Sequence, residues 1–280
     1  MNINYLNFSN TTTFHDGNVP YFTSRRLDRN SEIKHAFSTR IGGVSKDQYS
    51  TMNLSFTVGD NAKQVVENFH IFGNTIKIPT YNMVYSHQTH TTNVMRVNSH
   101  HKGMGIIKER DFSDIDGIIT DEKGLCLVTS YADCVPLYIY DPIKEAIGLS
   151  HAGWRGTVGN IANNTVSLMI KEFGTNPKDL QIFIGPSICA DCYEVSEDVA
   201  EEFAKAYGKA VFDGILIPKD NGKFKLNLHA ANYMNFVKAG VDENNISVTD
   251  VCTCCNEELL FSHRASKGKR GGLCAFLMLK

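Results

Sequence analysis

Strand-like and helix-like segments alternate along this chain, and no repeat, low-complexity stretch or linker divides them. This mixture predicts one α/β or α+β core and argues against separate modules joined by tethers. At 280 residues with 42% hydrophobic side chains, the chain can bury a sizeable core. We therefore treat residues 1–280 as a single domain.

Nine runs rich in β-branched, aromatic and aliphatic residues predict strands. They are 33–39, 81–85, 124–129, 135–140, 146–150, 180–184, 224–228, 246–249 and 273–279. Helical spacing of apolar residues predicts helices over 157–173, 196–207 and 228–239, each followed by glycine or ending next to one.

The charge balance and the N-terminal residues indicate which partners and which location to expect. Lys and Arg total 28 against 30 Asp and Glu, so no basic excess predicts binding to nucleic acid or to an anionic membrane. Residues 1–14 carry neither a basic residue nor a long apolar run, and 125–140 is too short and interrupted to span a bilayer. We expect a cytoplasmic protein whose eight cysteines are reduced, and a small-molecule substrate.

The densest motif is SHAGWRGT at 150–157, between a predicted strand and a predicted helix. His151 is a potential metal ligand. Free backbone N–H groups of the turn, with the guanidinium of Arg155, could bind an anion such as phosphate. The alternative is an ordinary tight turn with Trp154 packed beneath it.

Two further motifs contain potential ligands. Cys134 follows Asp133 directly, and Pro136 disfavours a continuous central strand, so we expect Cys134 at a strand end facing a cleft. Simple core packing is the alternative for such a cysteine. In SHQTH at 86–90, His87 and His90 would point to opposite faces of a strand, so only one of them is expected to bind a given ion.

Two histidines and one cysteine would leave one position of a tetrahedral zinc ion open, which is a catalytic arrangement. Copper also suits these ligand types.

Other cysteines form two groups: Cys189 with Cys192, and Cys252 with Cys254 and Cys255. The interval of 60 positions from Cys192 to Cys252 exceeds the spacing of common zinc ribbons and fingers. This spacing disfavours a second metal site, and we expect about one zinc per chain.

Basic side chains also cluster near the C-terminus. The segments FSHR at 261–264 and KGKRG at 267–271 carry them. Lys267 and Lys269 are expected on a solvated turn. His263 and Arg264, which adjoin apolar residues, are candidates for a cleft wall.

An ordered series of motifs resembles the YfiH/YlmD family over nearly the full chain. This family is related to the human laccase domain-containing protein FAMIN, and its members were once described as polyphenol oxidases. The matching segments are FSTRIGGVS (37–45), NL (53–54) with GD (59–60), QTH (88–90), ADCVP (132–136), HAGWRG (151–156), IGPSI (184–188), CYEV (192–195), and CTCCN (252–256) through FSHR (261–264).

The resemblance implies an α+β fold, namely a single α-β-α layered domain with mixed, YfiH-like sheets and a deep pocket. It also implies that His90, Cys134 and His151 hold the metal, which selects His90 over His87. The implied activities are those of purine nucleoside phosphorylase, methylthioadenosine phosphorylase and adenosine deaminase. The chain departs from the family pattern at Cys189 to Cys192 and at Lys269 to Gly271.

These activities suggest roles for particular residues. Cys134 and His151 would be catalytic through the metal, and Asp133 is the candidate for proton handling. Phosphate would be gripped by Arg40, Arg155 and the turn from Gly153 to Thr157. Three further residues are assigned to the substrate: Asn53, His263 and Arg264.

Three alternatives stay open. In a metal-free cysteine hydrolase, Cys134 would be the nucleophile and His151 its base. A copper-dependent, laccase-like oxidase is the second, although one mononuclear site without a Met ligand disfavours multicopper chemistry. The third is a non-enzymatic zinc module, which would require a closed four-ligand site.

Overall fold

A computed structural model describes residues 3–7, 10–212 and 214–280. Its strands, in chain order, are β1 (Thr12–His15), β2 (Tyr21–Ser24), β3 (Ile33–Ser38), β4 (Met83–Tyr85), β5 (Val94–Arg96), β6 (Gly117–Thr120), β7 (Cys126–Tyr131), β8 (Val135–Asp141), β9 (Ala146–Ala152), β10 (Gln181–Ile184), β11 (Glu194–Val195), β12 (Leu216–Pro218), β13 (Phe224–Leu226), β14 (Ile246–Val248) and β15 (Leu273–Leu279). Its α-helices are α1 (Ala62–Ile76), α2 (Trp154–Val158), α3 (Ile161–Phe173), α4 (Glu197–Tyr207) and α5 (Leu228–Lys238).

The strands form two large sheets and one small one. The first large sheet has the order β1-β2-β3-β15-β7-β4, and the second has the order β14-β10-β8-β9-β6-β5. Most neighbours are antiparallel, but β4 with β7, β5 with β6, and β10 with β14 run parallel. The small sheet has the order β11-β13-β12. Both large sheets are therefore mixed, as predicted.

Three buried clusters show how the layers stack. One joins side chains of the two large sheets, such as Leu127 and Leu149, and the Tyr138 hydroxyl donates to the Ala36 carbonyl at 2.8 Å across them. A second packs α3, α4 and α5 on the outer face of the second sheet, and a third packs α1 on the outer face of the first. The predicted α+β layered fold is confirmed, with a middle layer of two sheets face to face.

The predicted helix over 157–173 is interrupted in the structure. Helix α2 ends before Gly159, and Asn160 adopts a left-handed conformation (φ 61°) from which its side chain caps the Asn163 N–H of α3. The turn after His151 therefore leads into a helix of only five residues.

Other predicted elements need correction at their ends. The predicted strand over 81–85 starts as a 3-10 turn at Thr80–Asn82. Pro136 does not interrupt the strand as predicted. It lies inside β8, a central strand of the second sheet, opposite His151 of β9. The prediction did not include helix α1 or the strands β1, β2, β5, β6, β11 and β12.

Across the part of the chain that the structure describes, no helix has the length and apolar character needed to cross a membrane. All eight cysteines are free thiols.

Candidate metal centre and its two clefts

The potential ligand atoms of His90, Cys134 and His151 lie within 4.8 Å of one another. Cys134 immediately precedes β8, and His151 lies near the end of β9, which pairs antiparallel with β8. The Nε2 atom of His90 is 4.0 Å from the Cys134 sulfur, and the two imidazole rings stand edge to face at 4.9 Å. Cys134 is thus at a strand end, as predicted.

Asp116 is the residue that orders this cluster, and the sequence analysis missed it. Its carboxylate is completely buried just before β6 and accepts a 2.7 Å hydrogen bond from Nδ1 of His151. The same carboxylate accepts the backbone N–H groups of Thr89, His90 and Thr91. One side chain therefore orients both histidines and leaves Nε2 of His151 to face the thiol.

The backbone around His90 is adapted to this arrangement. His90 has a left-handed conformation (φ 65°), which a non-glycine residue adopts at an energetic cost. A Cβ atom on Gly153 would lie 2.9 Å from the His90 ring and 3.2 Å from the Cys134 sulfur, so glycine is required at that position. His87 is engaged elsewhere, since its Nδ1 accepts the Asp114 N–H at 3.2 Å.

The charges in the cluster are strongly coupled. Although burial opposes ionisation of the thiol, His151 and His90 lower the pKa of Cys134 to about 6. Burial likewise disfavours protonation of His151, but Cys134 and Asp116 outweigh it and raise its pKa to about 9. Burial would raise the pKa of Asp116, yet the hydrogen bond from His151 lowers it to about 2. The three groups form an ionised chain in which the thiolate is the favoured state.

This donor set fits a single divalent ion. A thiolate and two imidazoles are the ligand types that zinc and copper accept, and separations of 4.8 Å or less allow a common ion with small side-chain movements. His90 is exposed and Cys134 is partly accessible, whereas His151 is buried. The cluster is therefore open on one side.

Two clefts meet at the open side of the cluster. Both are lined by His90, Ala132, Cys134 and Arg270. The first cleft extends over polar groups, and its further lining includes Ser55, Thr57, Gln88, Arg110, Ser130 and His151. The second is more apolar, and its further lining consists of Asp133, Trp154, Arg155, Ile188, Tyr193, Leu228, His263 and Arg264.

Besides Cys134, the second cleft contains four of the residues assigned to chemistry or substrate: Asp133, Arg155, His263 and Arg264. Arg155 stacks on the Trp154 ring at 4.3 Å. Arg264 lies over the Tyr193 ring at 5.2 Å and donates to the Glu194 carbonyl at 2.8 Å. Both guanidinium groups are thus held at the cleft wall by aromatic rings.

The Asp133 carboxylate has two partners within the protein, and its assignment to proton handling stays a prediction. One carboxylate oxygen accepts the Thr253 hydroxyl at 2.7 Å, and the other accepts the backbone N–H of Arg264 at 2.7 Å. Asp133 also has a positive φ of 91°. Its carboxylate therefore fixes the turn at Arg264 beside the candidate metal site.

Arg40 and Asn53 lie outside both clefts. The Arg40 guanidinium donates to the carbonyls of Ser50 and Glu257 and lies over the Phe261 ring. The fully buried Asn53 side chain bonds to Ser55, Asp60 and the backbone N–H of Gly272. These contacts place both residues in loop structure, and their assignment to substrate stays a prediction.

Arg270 is a site residue that the sequence analysis did not single out. It lines both clefts, and although burial lowers its pKa, the charges of Cys134 and Asp133 act to raise it. Its position between two glycine-rich turns resembled a solvated hairpin in sequence. Only the fold places its guanidinium against the cluster.

Gln88 has a supporting role. Its amide exchanges two hydrogen bonds with the backbone of Ser130, at 2.7 and 2.8 Å. This clamp ties the His90 loop to the end of β7.

The long sequence interval does not keep the two groups of cysteines apart. The sulfurs of Cys189, Cys192, Cys252 and Cys255 lie within 4.8 Å of one another despite their distance in sequence.

Comparison with known proteins places these features in context. A family model described as multi-copper polyphenol oxidoreductase laccase matches residues 34–280. The chain is 32% identical over 252 residues to the purine nucleoside phosphorylase YlmD of Bacillus subtilis, covering 90% of each protein. It is 34% identical over 231 residues to the adenosine deaminase RL5 of an unknown prokaryote, covering 82% of this chain and 87% of RL5.

Solved structures agree with the sequence comparisons. YfiH of Bacillus licheniformis superposes with a TM-score of 0.90 at 30% identity, over 95% of this chain and 99% of that protein. YlmD of Geobacillus stearothermophilus superposes with a TM-score of 0.87 at 30% identity, over 95% and 98%. The similarity therefore extends over nearly the whole fold.

Proposed function

The chain belongs to the multi-copper polyphenol oxidoreductase laccase family, and from this membership and the site geometry we propose that it is a purine nucleoside phosphorylase that also deaminates adenosine. The observation that carries the proposal is the open His90, Cys134 and His151 cluster at the junction of two clefts, one of them lined by arginines.

The second cleft suits a purine nucleoside. Trp154 and Tyr193 offer flat apolar surfaces for the base, and Ile188 and Leu228 complete an apolar wall. The arginines on these rings leave a polar rim for the ribose. The proposed substrates are adenosine, inosine, guanosine and methylthioadenosine.

Phosphorolysis requires a phosphate-binding site near the ribose, and three guanidinium groups are available to form it. Arg155, Arg264 and Arg270 all line the second cleft, and Arg270 also reaches the first. Charge-assisted, bidentate hydrogen bonds from arginine hold phosphate oxygens in a defined orientation. This orientation would place phosphate for attack on C1′ while the purine departs.

Zinc is the ion that we assign to the cluster; when bound, it would supply Lewis-acid chemistry beside the cleft. His90, Cys134 and His151 would hold it, and Asp116 would keep His151 in the tautomer that presents Nε2. Asp133 would hold the Arg264 turn in place. The substrates and the expected reduced thiols fit a cytoplasmic enzyme, which is the location we propose.

Product analysis tests this function. Pure protein is incubated with inosine or adenosine, with and without phosphate, and the products are separated by chromatography. We expect hypoxanthine and ribose 1-phosphate from inosine only when phosphate is present, and inosine from adenosine in either condition. Phosphate-independent cleavage of inosine would instead identify a hydrolase.

Arg155→Ala separates the two reactions. Loss of this guanidinium should slow phosphorolysis about ten- to a hundred-fold, because a charge-assisted contact contributes roughly 1.5–3 kcal/mol, and it should affect deamination less. Initial rates at varied phosphate measure both effects. The matched control is Arg96→Ala, which removes a surface arginine paired with Asp121 and Glu172 and should change neither rate. Equal losses in both reactions would assign Arg155 to the fold alone.

A metal-free cysteine hydrolase is the second candidate, favoured by the thiolate and imidazolium pair of Cys134 and His151. Metal analysis distinguishes this hydrolase from the proposed zinc-dependent phosphorylase. A hydrolase would keep its activity after chelation and would be inactivated by an alkylating agent. Copper bound in preference to zinc, with oxidation of phenols, would support the oxidase that the family description names.

A further inference from the structure

Four cysteine sulfurs converge near the second cleft, and two of these cysteines adjoin the cleft residues Ile188 and Tyr193 in sequence. They belong to Cys189, Cys192, Cys252 and Cys255, here called the cysteine cluster, and lie within 4.8 Å of one another. Cys189 and Cys252 are buried, and the other two are partly accessible. Core packing alone does not require four thiols to lie this close together.

The pairing of two strands brings these thiols together. Strands β10 and β14 run parallel, so their carboxyl ends lie at the same edge of the sheet. One pair of cysteines follows each strand within a few residues. Beyond the strands the two segments continue side by side, with an isolated bridge between Ser187 and Cys252 and a 3.1 Å hydrogen bond from the Thr253 N–H to the Ser187 carbonyl. Strand pairing thus brings the two pairs of cysteines together, whereas in a zinc ribbon their short spacing in sequence does so.

Backbone hydrogen bonds hold one of the four sulfurs in place. The Cys252 sulfur accepts the backbone N–H of Cys189 at 3.2 Å and that of Cys255 at 3.4 Å. These two contacts fix the position of the Cys252 sulfur within the cluster.

The alternative is a disulfide. The sulfurs of Cys192 and Cys255 are 3.4 Å apart, well beyond the about 2.05 Å of a disulfide bond. A disulfide would also use only two of the four thiols. Sulfurs around a tetrahedral zinc ion are separated by about 3.8 Å, given a Zn–S distance of about 2.3 Å, and the cluster approaches this geometry.

We propose that the cysteine cluster holds a second zinc ion in a closed, structural four-thiolate site. Its role follows from the contacts of the two segments that it would join. Thr253 donates its hydroxyl to the Asp133 carboxylate, and the Ile188 N–H donates to the Asp133 carbonyl at 3.0 Å. The ion would thereby brace the cleft wall next to Cys134 without contacting the substrate.

Metal stoichiometry tests the proposal on the whole protein, purified under reducing conditions without added metal. Elemental analysis should find two zinc ions per wild-type chain, one in Cys134→Ala and one in Cys189→Ser or Cys252→Ser. The matched control is Cys254→Ser, since this cysteine lies between two proposed ligands but its sulfur is outside the cluster. That variant should keep both ions. The Cys189→Ser protein should also lose thermal stability, with Tm lower by about 5 °C or more.

A second measurement keeps the test decisive if the serine variants fail to fold. Alkylation of the native Cys134→Ala protein, followed by mass spectrometry, should find the four cluster cysteines protected until a chelator removes the ion. Zinc that disappears completely in Cys134→Ala would overturn the proposal, and so would a wild-type mass lower by two hydrogens from a disulfide. If the site at His90, Cys134 and His151 held no zinc, the cysteine cluster would still hold its ion. The two assignments are therefore tested separately.

Discussion

At the scale of single residues, one buried carboxylate organises the proposed metal site. Asp116 accepts hydrogen bonds from His151 and from three successive backbone N–H groups, so it fixes two ligands that are 61 residues apart in sequence. A neutral side chain of the same shape would keep part of this geometry but would lose the charge that stabilises it. Loss of such an outer partner typically lowers metal affinity or activity by about 10- to 100-fold.

Asp116→Asn should weaken metal binding at the His90 cluster by about 10- to 100-fold, because the amide is a weaker acceptor for the Nδ1–H of His151 and brings an N–H₂ group toward backbone donors. Competition with a chromophoric chelator measures the affinity. Asp114→Asn is the matched control, since Asp114 is exposed and bonds to the Thr89 hydroxyl. An unchanged affinity in Asp116→Asn would remove this carboxylate from the site.

At the scale of elements, helix α1 supports the wall of the first cleft. Its apolar side packs Val65, Phe69 and Phe72 against the first large sheet. The same helix carries Asn68, a completely buried residue whose side chain accepts the Val44 N–H at 2.8 Å and donates to the Asn53 carbonyl at 2.9 Å. The helix thereby anchors the loop that leads to Ser55 and Thr57 of the cleft.

Asn68→Ala should lower the free energy of unfolding by roughly 2–4 kcal/mol, because it leaves several buried backbone groups without partners. The corresponding fall in Tm is roughly 5–10 °C for a chain of this size. Thermal melts followed by circular dichroism measure it. Asn74→Ala, at an exposed position of the same helix, is the control and should change Tm little. A small effect of Asn68→Ala would mean that water replaces the amide.

At the scale of the whole molecule, the packing of α5 makes stability depend on pH. Burial lowers the pKa of His229 to about 4, and its Nε2 lies 2.6 Å from the Ser187 hydroxyl. The neutral ring is thus favoured in the folded state, whereas the unfolded chain binds a proton near pH 6.5. The unfolded state therefore gains protons first as the pH falls.

Stability should accordingly decline between pH 6.5 and about 4, by roughly 3 kcal/mol at most for this residue. In His229→Gln, which can still bond to Ser187, the free energy of unfolding should change less over this interval. Urea denaturation at a series of pH values measures the slope. His100→Gln, at an exposed site beside Asp111, should retain the wild-type slope. Parallel slopes in His229→Gln and wild type would assign acid sensitivity to other groups.

Several features of this protein follow from the sequence by itself, because they are local. Strand-forming runs predicted most of the long strands within a few residues, and glycine stops predicted the ends of α3, α4 and α5. Helix α1 had a readable signal as well, with an Asn61 cap and apolar residues at helical spacing, although the prediction omitted it. The motif chemistry of His90, Cys134 and His151 identified a candidate ligand set, which the structure brings together.

Tertiary structure alone decided the rest, because the deciding contacts join residues far apart in the chain. Antiparallel pairing of β8 with β9 sets Cys134 beside His151, and β6 carries Asp116 to them, although nothing in the sequence around Asp116 distinguishes it from other turn aspartates. The spacing of 60 residues argued against a cysteine site, but the parallel ends of β10 and β14 close that distance. Arg40 and Arg270 illustrate the same limit: both are arginines beside glycine-rich turns, and only burial and hydrogen bonding place one in loop structure and the other against the thiolate. Residue type determines which chemistry is available, whereas the long-range strand pairing determines which groups can act together.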